Sequence, residues 1–122
     1  MAQLTAMTLL KNGIPVDNMI NFGAPRIGDN KYAAFSDLVF KNQWRVVHAK
    51  DIVPHNPTSI WPINYYHTST EIFEKPEKTY KVCTAGEDPH CCNSELIYLI
   101  DDHLVYMGRC MGELCGNCKS ST

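Results

Sequence analysis

The chain has 122 residues, of which 44% are hydrophobic, 20% charged and 10% aromatic. These shares sit near the globular average and argue against disorder, collagen and coiled coil. The net charge is −2, from 11 basic and 13 acidic residues that are interspersed. That excludes the clustered basic face of a nucleic-acid binder, and no apolar run approaches the ~18 residues of a membrane span.

Residues 2–11 place apolar groups at 2, 4, 6, 7, 9 and 10, which predicts a helix with a broad buried face. Asn12-Gly13 stops it, because glycine accepts the left-handed conformation after a helix end. No Ser, Thr, Asp or Asn precedes the apolar run as an N-cap, so the helix reads as cut, not started. Met19 to Phe22 predicts a short strand ended by Gly23-Ala24-Pro25. Asp29-Asn30 offers an N-cap for a second helix over about 30–41, with Tyr32, Phe35, Leu38 and Val39 at helical spacing. Trp44 to His48 predicts a second strand. The order helix, strand, helix, strand points to an α/β unit with a parallel sheet. Pro54 to Pro62 is too rich in Pro and Asn for regular structure. Ser69 to Glu74 reads as a third strand, with Tyr80 to Cys83 antiparallel to it after the Pro76 turn. Residues 84–94 form a loop. Residues 95–107 are apolar again, interrupted by Asp101-Asp102-His103, and 116–122 reads as a frayed tail. Parallel strands need cover on both faces. Two helices cover one face, so the chain is expected to be part of a larger α/β domain.

All six cysteines lie from Cys83 onward: Cys83, Cys91, Cys92, Cys110, Cys115 and Cys118. Disulfides in an oxidising compartment are the leading reading, with Cys83 bridging to Cys91 or Cys92 around Glu87-Asp88-Pro89. The first residues do not read as a secretory leader, since Lys11 follows the apolar run instead of preceding it. Zinc on Cys83, His90, Cys91 and Cys92, or on Cys110, Cys115 and Cys118, lacks the matched pair spacing. A redox role for Cys115-Gly116-Asn117-Cys118 lacks the strand-to-helix setting, and Glu87-Asp88 offers few carboxylates for calcium.

Two positions stand out chemically. Asp51 lies just past a predicted parallel strand, where open α/β sheets bind ligands. Ile52, Val53 and Pro54 would desolvate its carboxylate, and such an acid orients a histidine and stabilises its cation. Taken alone, Asp51 is more simply a turn or cap residue. His103, beside Asp101 and Asp102 at the start of an apolar turn, suits a proton carrier near neutral pH. Either aspartate could instead cap a following helix. His103 gains meaning as the partner of Asp51. A Ser-His-Asp hydrolase on such a sheet also needs a serine in a G-x-S-x-G strand-to-helix turn, and serines 36, 59, 69, 94, 120 and 121 stand in no such frame. The order in that fold is nucleophile, acid, base. The nucleophile therefore belongs ahead of Asp51, beside the uncapped first helix.

The chain resembles the C-terminal half of a class 3 lipase, the fungal-lipase-like α/β-hydrolases that cleave acylglycerols. Ala2-Gln3-Leu4-Thr5-Ala6 resembles the helix after that family's G-H-S-L-G-G elbow. Asn21-Phe22-Gly23-Ala24-Pro25-Arg26-Ile27-Gly28 resembles its F-G-x-P-R-x-G turn. Arg45 through Pro54 resembles its acid segment, with Asp51 as the matching acid. Tyr66 through Ile72 resembles its Y-x-H-x-x-x-E strand. Asp102-His103-Leu104-Val105-Tyr106-Met107-Gly108 resembles its closing D-H-L-x-Y-F-G, with His103 as the matching base.

The resemblance implies a partial α/β-hydrolase fold over 1–115, a flexible tail over 116–122, and a secreted or lumenal location. It implies a triacylglycerol-type carboxylic ester hydrolase in which Asp51 and His103 act with a serine ahead of the first helix, without a cofactor or metal. The implied partners are a lipid or ester substrate, transient lipid-interface contact and the N-terminal half of the same domain, with no nucleic acid. The nucleophile and oxyanion donors lie outside these residues, so the isolated chain is expected to be inactive. The alternative is a catalytically inactive remnant or binding module. Arg26 reads as an ion-pair former in a tight turn, and His48 and His67 as hydrogen-bonding core residues. His55, Ile60 and Trp61 are the expected substrate contacts at the rim.

Overall fold

A computed structural model describes residues 1–111. Helix α1 (Ala2–Lys11) is closed by Gly13 at φ +75°. Strands β1 (Met19–Phe22) and β2 (Gly28–Asp29) follow. Helix α2 (Asn30–Val39) is capped as expected, the Asp29 side chain accepting from the Tyr32 amide at 2.9 Å. Strands β3 (Gln43–His48), β4 (Tyr65–Tyr66), β5 (Glu71–Glu74), β6 (Tyr80–Cys83), β7 (Val105–Tyr106) and β8 (Arg109–Cys110) complete the order.

The main sheet runs β1-β3-β5-β6. β1, β3 and β5 are parallel, and β6 is antiparallel to β5. This is the mostly parallel α/β sheet the element order predicts, and it fits the partial α/β-hydrolase fold the resemblance implies. Helix α1 packs at β1 through Ala6, Met19 and Phe40, while Val47, Phe73, Cys83, Cys91 and Cys92 form a second cluster at β3, β5 and β6.

Three expectations change. Neither helix buries a broad apolar face here: the buried positions of α1 are Gln3 and Ala6, and those of α2 are Ala33 and Ser36. Gln3 Nε2 donates to Ser36 Oγ at 3.0 Å, and Ser36 Oγ donates to Gln43 Oε1 at 3.2 Å. Small and hydrogen-bonding residues therefore face the sheet, while Phe35 and Leu38 stay exposed. The run 95–107, read only as apolar and interrupted by Asp101-Asp102-His103, carries no α-helix for either aspartate to cap. It makes a 3-10 turn over Asp101–Leu104 and then the β7–β8 hairpin. Met107 and Gly108, at φ +52° and +71°, form its two-residue turn, and positive φ at both positions matches the twist of a tight hairpin. The third strand is shorter than expected, Glu71–Glu74, and β2 pairs with β4 in an unpredicted small ladder. The tail 116–122 lies outside the described residues.

The register places Phe22, Val46, Ile72 and Val82 in one row across the sheet. Phe22 and Val82 are exposed, as is Ile20 beside them. Among the described residues, that apolar face is only partly covered.

Candidate active site

The carboxyl end of β3 carries the acid. His48 ends the strand, Ala49 turns the chain at φ +42°, and Asp51 follows fully buried. Its Oδ1 accepts from the Val53 amide at 2.8 Å. Its Oδ2 accepts from His103 Nδ1–H at 2.9 Å and from the Tyr106 hydroxyl. Residues 51 and 103 are thus brought into direct contact. With Nδ1 carrying the proton that it donates to Asp51, the other ring nitrogen of His103 is left as an acceptor. The His103 side chain is 31% exposed, which lets that nitrogen reach a bound molecule.

The His103 side chain borders a cleft of about 390 Å³. Met1, Ala2 and Gln3, at the start of α1, line the same cleft with Asn21 and Gly23. The helix start and the imidazole therefore share one cavity.

Gly23 and Tyr106 belong to this site, and sequence reasoning assigned neither a role there. A Cβ on Gly23 would lie 2.6 Å from Tyr106 Oη, 2.7 Å from Asp51 Oδ2 and 2.8 Å from His103 Nδ1. The missing side chain is what lets the three groups meet. The signal in the sequence was a glycine ending a strand one turn from the site, which reads equally as a strand terminator. Tyr106 is buried, with its ring edge-on to Phe22 at 5.8 Å. Burial, and then the Asp51 carboxylate, push its hydroxyl well above the ordinary tyrosine range. It therefore stays protonated and donates.

A second polar network lies beside the acid turn. Arg26 is buried and pairs with Glu87 through two bonds of 2.8 Å. Its Nη1 donates to the carbonyls of His55 and Pro57 at 2.7 and 3.0 Å. Arg26 is thus the structural ion-pair former the turn predicted. His67 Nε2–H donates to the Pro54 carbonyl at 2.7 Å, and His48 Nδ1–H to the Asp102 carbonyl at 3.1 Å. Both histidines are hydrogen-bonding residues, as expected. Cys83 is bonded to Cys91 across the loop that holds Glu87, which removes the zinc reading built on that pair. Cys92 is a buried free thiol, and Cys110 is also disulfide-bonded. Among the described residues no three metal-binding side chains converge, and no helix is long and apolar enough to cross a membrane.

The expected rim residues His55, Ile60 and Trp61 do not line this cleft. His55 stacks on Tyr98 at 3.9 Å, and Ile60 and Trp61 are 72% and 79% exposed. Other residues line the cleft.

Half-buried His55 and buried His67 give the fold a pH limit. Burial, then the Arg26 charge, lowers His55 from 6.5 to about 4. Burial, then Arg45 and Arg26, holds His67 well below 6.5. A depressed histidine is neutral when folded and takes up a proton more readily when unfolded. Its stabilisation is complete above 6.5 and is lost as pH falls toward the folded value. Burial alone would raise Glu87, but bonds from Arg26, the His67 amide and Asn93 bring it down to about 2. The Glu87 contribution is therefore lost only at lower pH, below the ordinary glutamate range. The thermal midpoint is expected to drop by several degrees between pH 7 and pH 4.5, and His67→Gln to flatten that drop. A midpoint constant over this range, read by circular dichroism, contradicts the assignment.

The chain is similar to known lipases in sequence and in fold. The family profile described as Lipase (class 3) matches residues 1–61. The chain is 31% identical over 116 residues to the secreted mono- and diacylglycerol lipase MDL5 of Malassezia globosa, covering 92% of this chain and 36% of that protein. It is 29% identical over 115 residues to a lipase of Rhizomucor miehei, covering 88% of this chain and 31% of that one. The solved structure of the Rhizomucor miehei triacylglyceride lipase superposes with a TM-score of 0.81 at 29% identity, over 90% of this chain and 44% of that chain. The chain spans about a third of the length of the curated relatives it matches.

Proposed function

We propose, because this chain belongs to the class 3 lipase family, that residues 1–115 are the C-terminal portion of a lipase domain whose acid and base are Asp51 and His103. The observation that carries this is the contact of a fully buried carboxylate with a partly exposed imidazole at one cleft. The reaction is hydrolysis of a carboxylic ester of the acylglycerol type. One solved neighbour, with a TM-score of 0.81 and 27% identity, is a triacylglycerol lipase whose catalytic centre is a serine protease triad.

In this reading a serine ahead of α1 attacks the ester carbonyl while His103 takes its proton. Asp51 holds the imidazole in the tautomer that leaves its outer nitrogen free and stabilises the cation that forms. His103 then protonates the departing alcohol, and water releases the acid by the same route. The exposed sheet row around Phe22 and Val82 suits a domain that continues beyond these residues, since a parallel sheet needs cover on both faces. His55, Ile60 and Trp61 meet the substrate outside the cleft beside His103, with Ile60 and Trp61 exposed and free to touch a lipid surface. Secretion is the matching location, as the relatives from Malassezia globosa and Fusarium solani are named secreted.

The test is ester turnover in two proteins. Residues 1–122 alone are expected to hydrolyse p-nitrophenyl esters no faster than buffer, because nucleophile and oxyanion donors are both required. The same residues, joined behind the upstream portion of the Rhizomucor miehei lipase, are expected to turn over. His103→Ala should then lower kcat by about a thousandfold or more. A folded joined protein without activity favours the inactive remnant or binding module. His103-dependent turnover by residues 1–122 alone overturns the division of labour proposed here.

A further inference from the structure

The Asp51–His103 contact joins segments far apart in the chain, and it is not the only bond that does so. Asp102 Oδ2 accepts from the Lys50 amide at 2.9 Å, and the Asp102 carbonyl accepts from His48 Nδ1–H at 3.1 Å. The Leu99 amide donates to the Lys50 carbonyl at 2.7 Å, and the Ile52 amide to the Leu99 carbonyl at 3.3 Å. The turn that carries the base is therefore laid along the turn that carries the acid by bonds that bracket Asp51 on both sides. Of the side chains in residues 99–103, Asp102 alone reaches across by its own carboxylate to a backbone donor of the acid turn among the described residues.

We propose that Asp102 is a positioning residue for His103. Its carboxylate on the Lys50 amide, and its carbonyl under the His48 ring, dock the 3-10 turn Asp101–Leu104 so that the imidazole meets Asp51 in one register. The bond from His103 to Asp51 must persist while the ring gains and loses a proton. A ring held only by that bond is free to swing when the charge changes. A ring whose backbone is pinned one residue away is not. Preorganisation of this kind keeps reacting groups in place at the moment of transfer. The inference rests on the acid–base reading above, since without it Asp102 merely ties two turns together.

The test uses the 122-residue chain with isotope-labelled histidine and backbone amides. Asp102→Ala is expected to speed exchange of the His103 Nδ1 proton and of the Lys50 amide with water by about tenfold. Asp102→Asn keeps an acceptor oxygen in the same place and should restore both to within about twofold of the native rates. Asp101→Ala, on the neighbouring residue, should move neither. If Asp102→Ala leaves the His103 proton at its native rate, or Asn rescues no better than Ala, the proposal is overturned while the Asp51–His103 pairing stands. If Asp51→Ala leaves that proton unchanged, the pairing itself fails and takes the proposal with it. Should Asp102→Ala not fold, the native chain still decides, because a Lys50 amide that exchanges as fast as an exposed one overturns the bond on which the proposal depends.

Discussion

Replacing Gly23 with alanine is expected to separate Asp51 from His103 and, in the joined, nucleophile-bearing protein, to lower kcat/KM by about a thousandfold. The added Cβ would stand within 2.8 Å of Tyr106, Asp51 and His103 together. None can yield freely. Asp51 is held by the Val53 amide, Tyr106 is buried between Phe22 and His48, and the His103 turn is tied to Lys50. The backbone adds its own cost, because φ at Gly23 is +56° and an L side chain in that region costs about 1–2 kcal/mol. Gly13→Ala separates the two effects. It shares the positive φ, but nothing lies within 4 Å of its Cβ, so it should lose stability alone and leave the His103 signal intact. Equal behaviour of the two variants at His103 would remove the steric explanation.

The largest loss of stability is expected at the pair Arg45–Glu71. Their side chains are 2% and 1% exposed and meet at 3.0 Å. Arg45 also donates to the carbonyls of Thr68 and Gly86, while Glu71 accepts from the Cys92 amide at 2.9 Å and from its thiol. One network thus binds β3, β5 and the loop closed by Cys83–Cys91. Removing one partner leaves a buried charge uncompensated, at a cost of about 3–5 kcal/mol. Arg45→Met should lower the thermal midpoint by about 10 °C or more, and adding Glu71→Gln should recover part of it. Lys75→Ala, at the exposed pair with Glu77 at 4.0 Å, should change nothing measurable. If Arg45→Met and Lys75→Ala melt alike, the buried network is not what holds these strands.

These two sites show what the residues declare locally and what they conceal. The strands Met19–Phe22, Gln43–His48 and Tyr80–Cys83 and the Asp29 cap were legible, because periodicity and capping are local signals. Asp51 and His103 were legible as a pair through chain order and resemblance. The β7–β8 hairpin was not, because an apolar run with acids before it fits a capped helix equally well, and only the positive φ of Met107 decides. The burial of Ser36 and Gln3 in place of Phe35 and Leu38 was also hidden, since helical spacing names a stripe and not the sheet it will meet. Gly23 and Asp102 act through contacts distant in sequence, which no local pattern encodes. The choice of Cys91 over Cys92 as partner of Cys83 is of the same kind: Glu71, on a neighbouring strand, occupies the Cys92 thiol.

The Nδ1 protons of histidine in the unaltered 122-residue chain, observed by nuclear magnetic resonance, give the most direct test of the Asp51–His103 pair. His103 is predicted to carry a slowly exchanging proton that is lost in Asp51→Ala and persists in Tyr106→Phe. A His103 ring with no protected proton, or with one that survives the loss of Asp51, would contradict it.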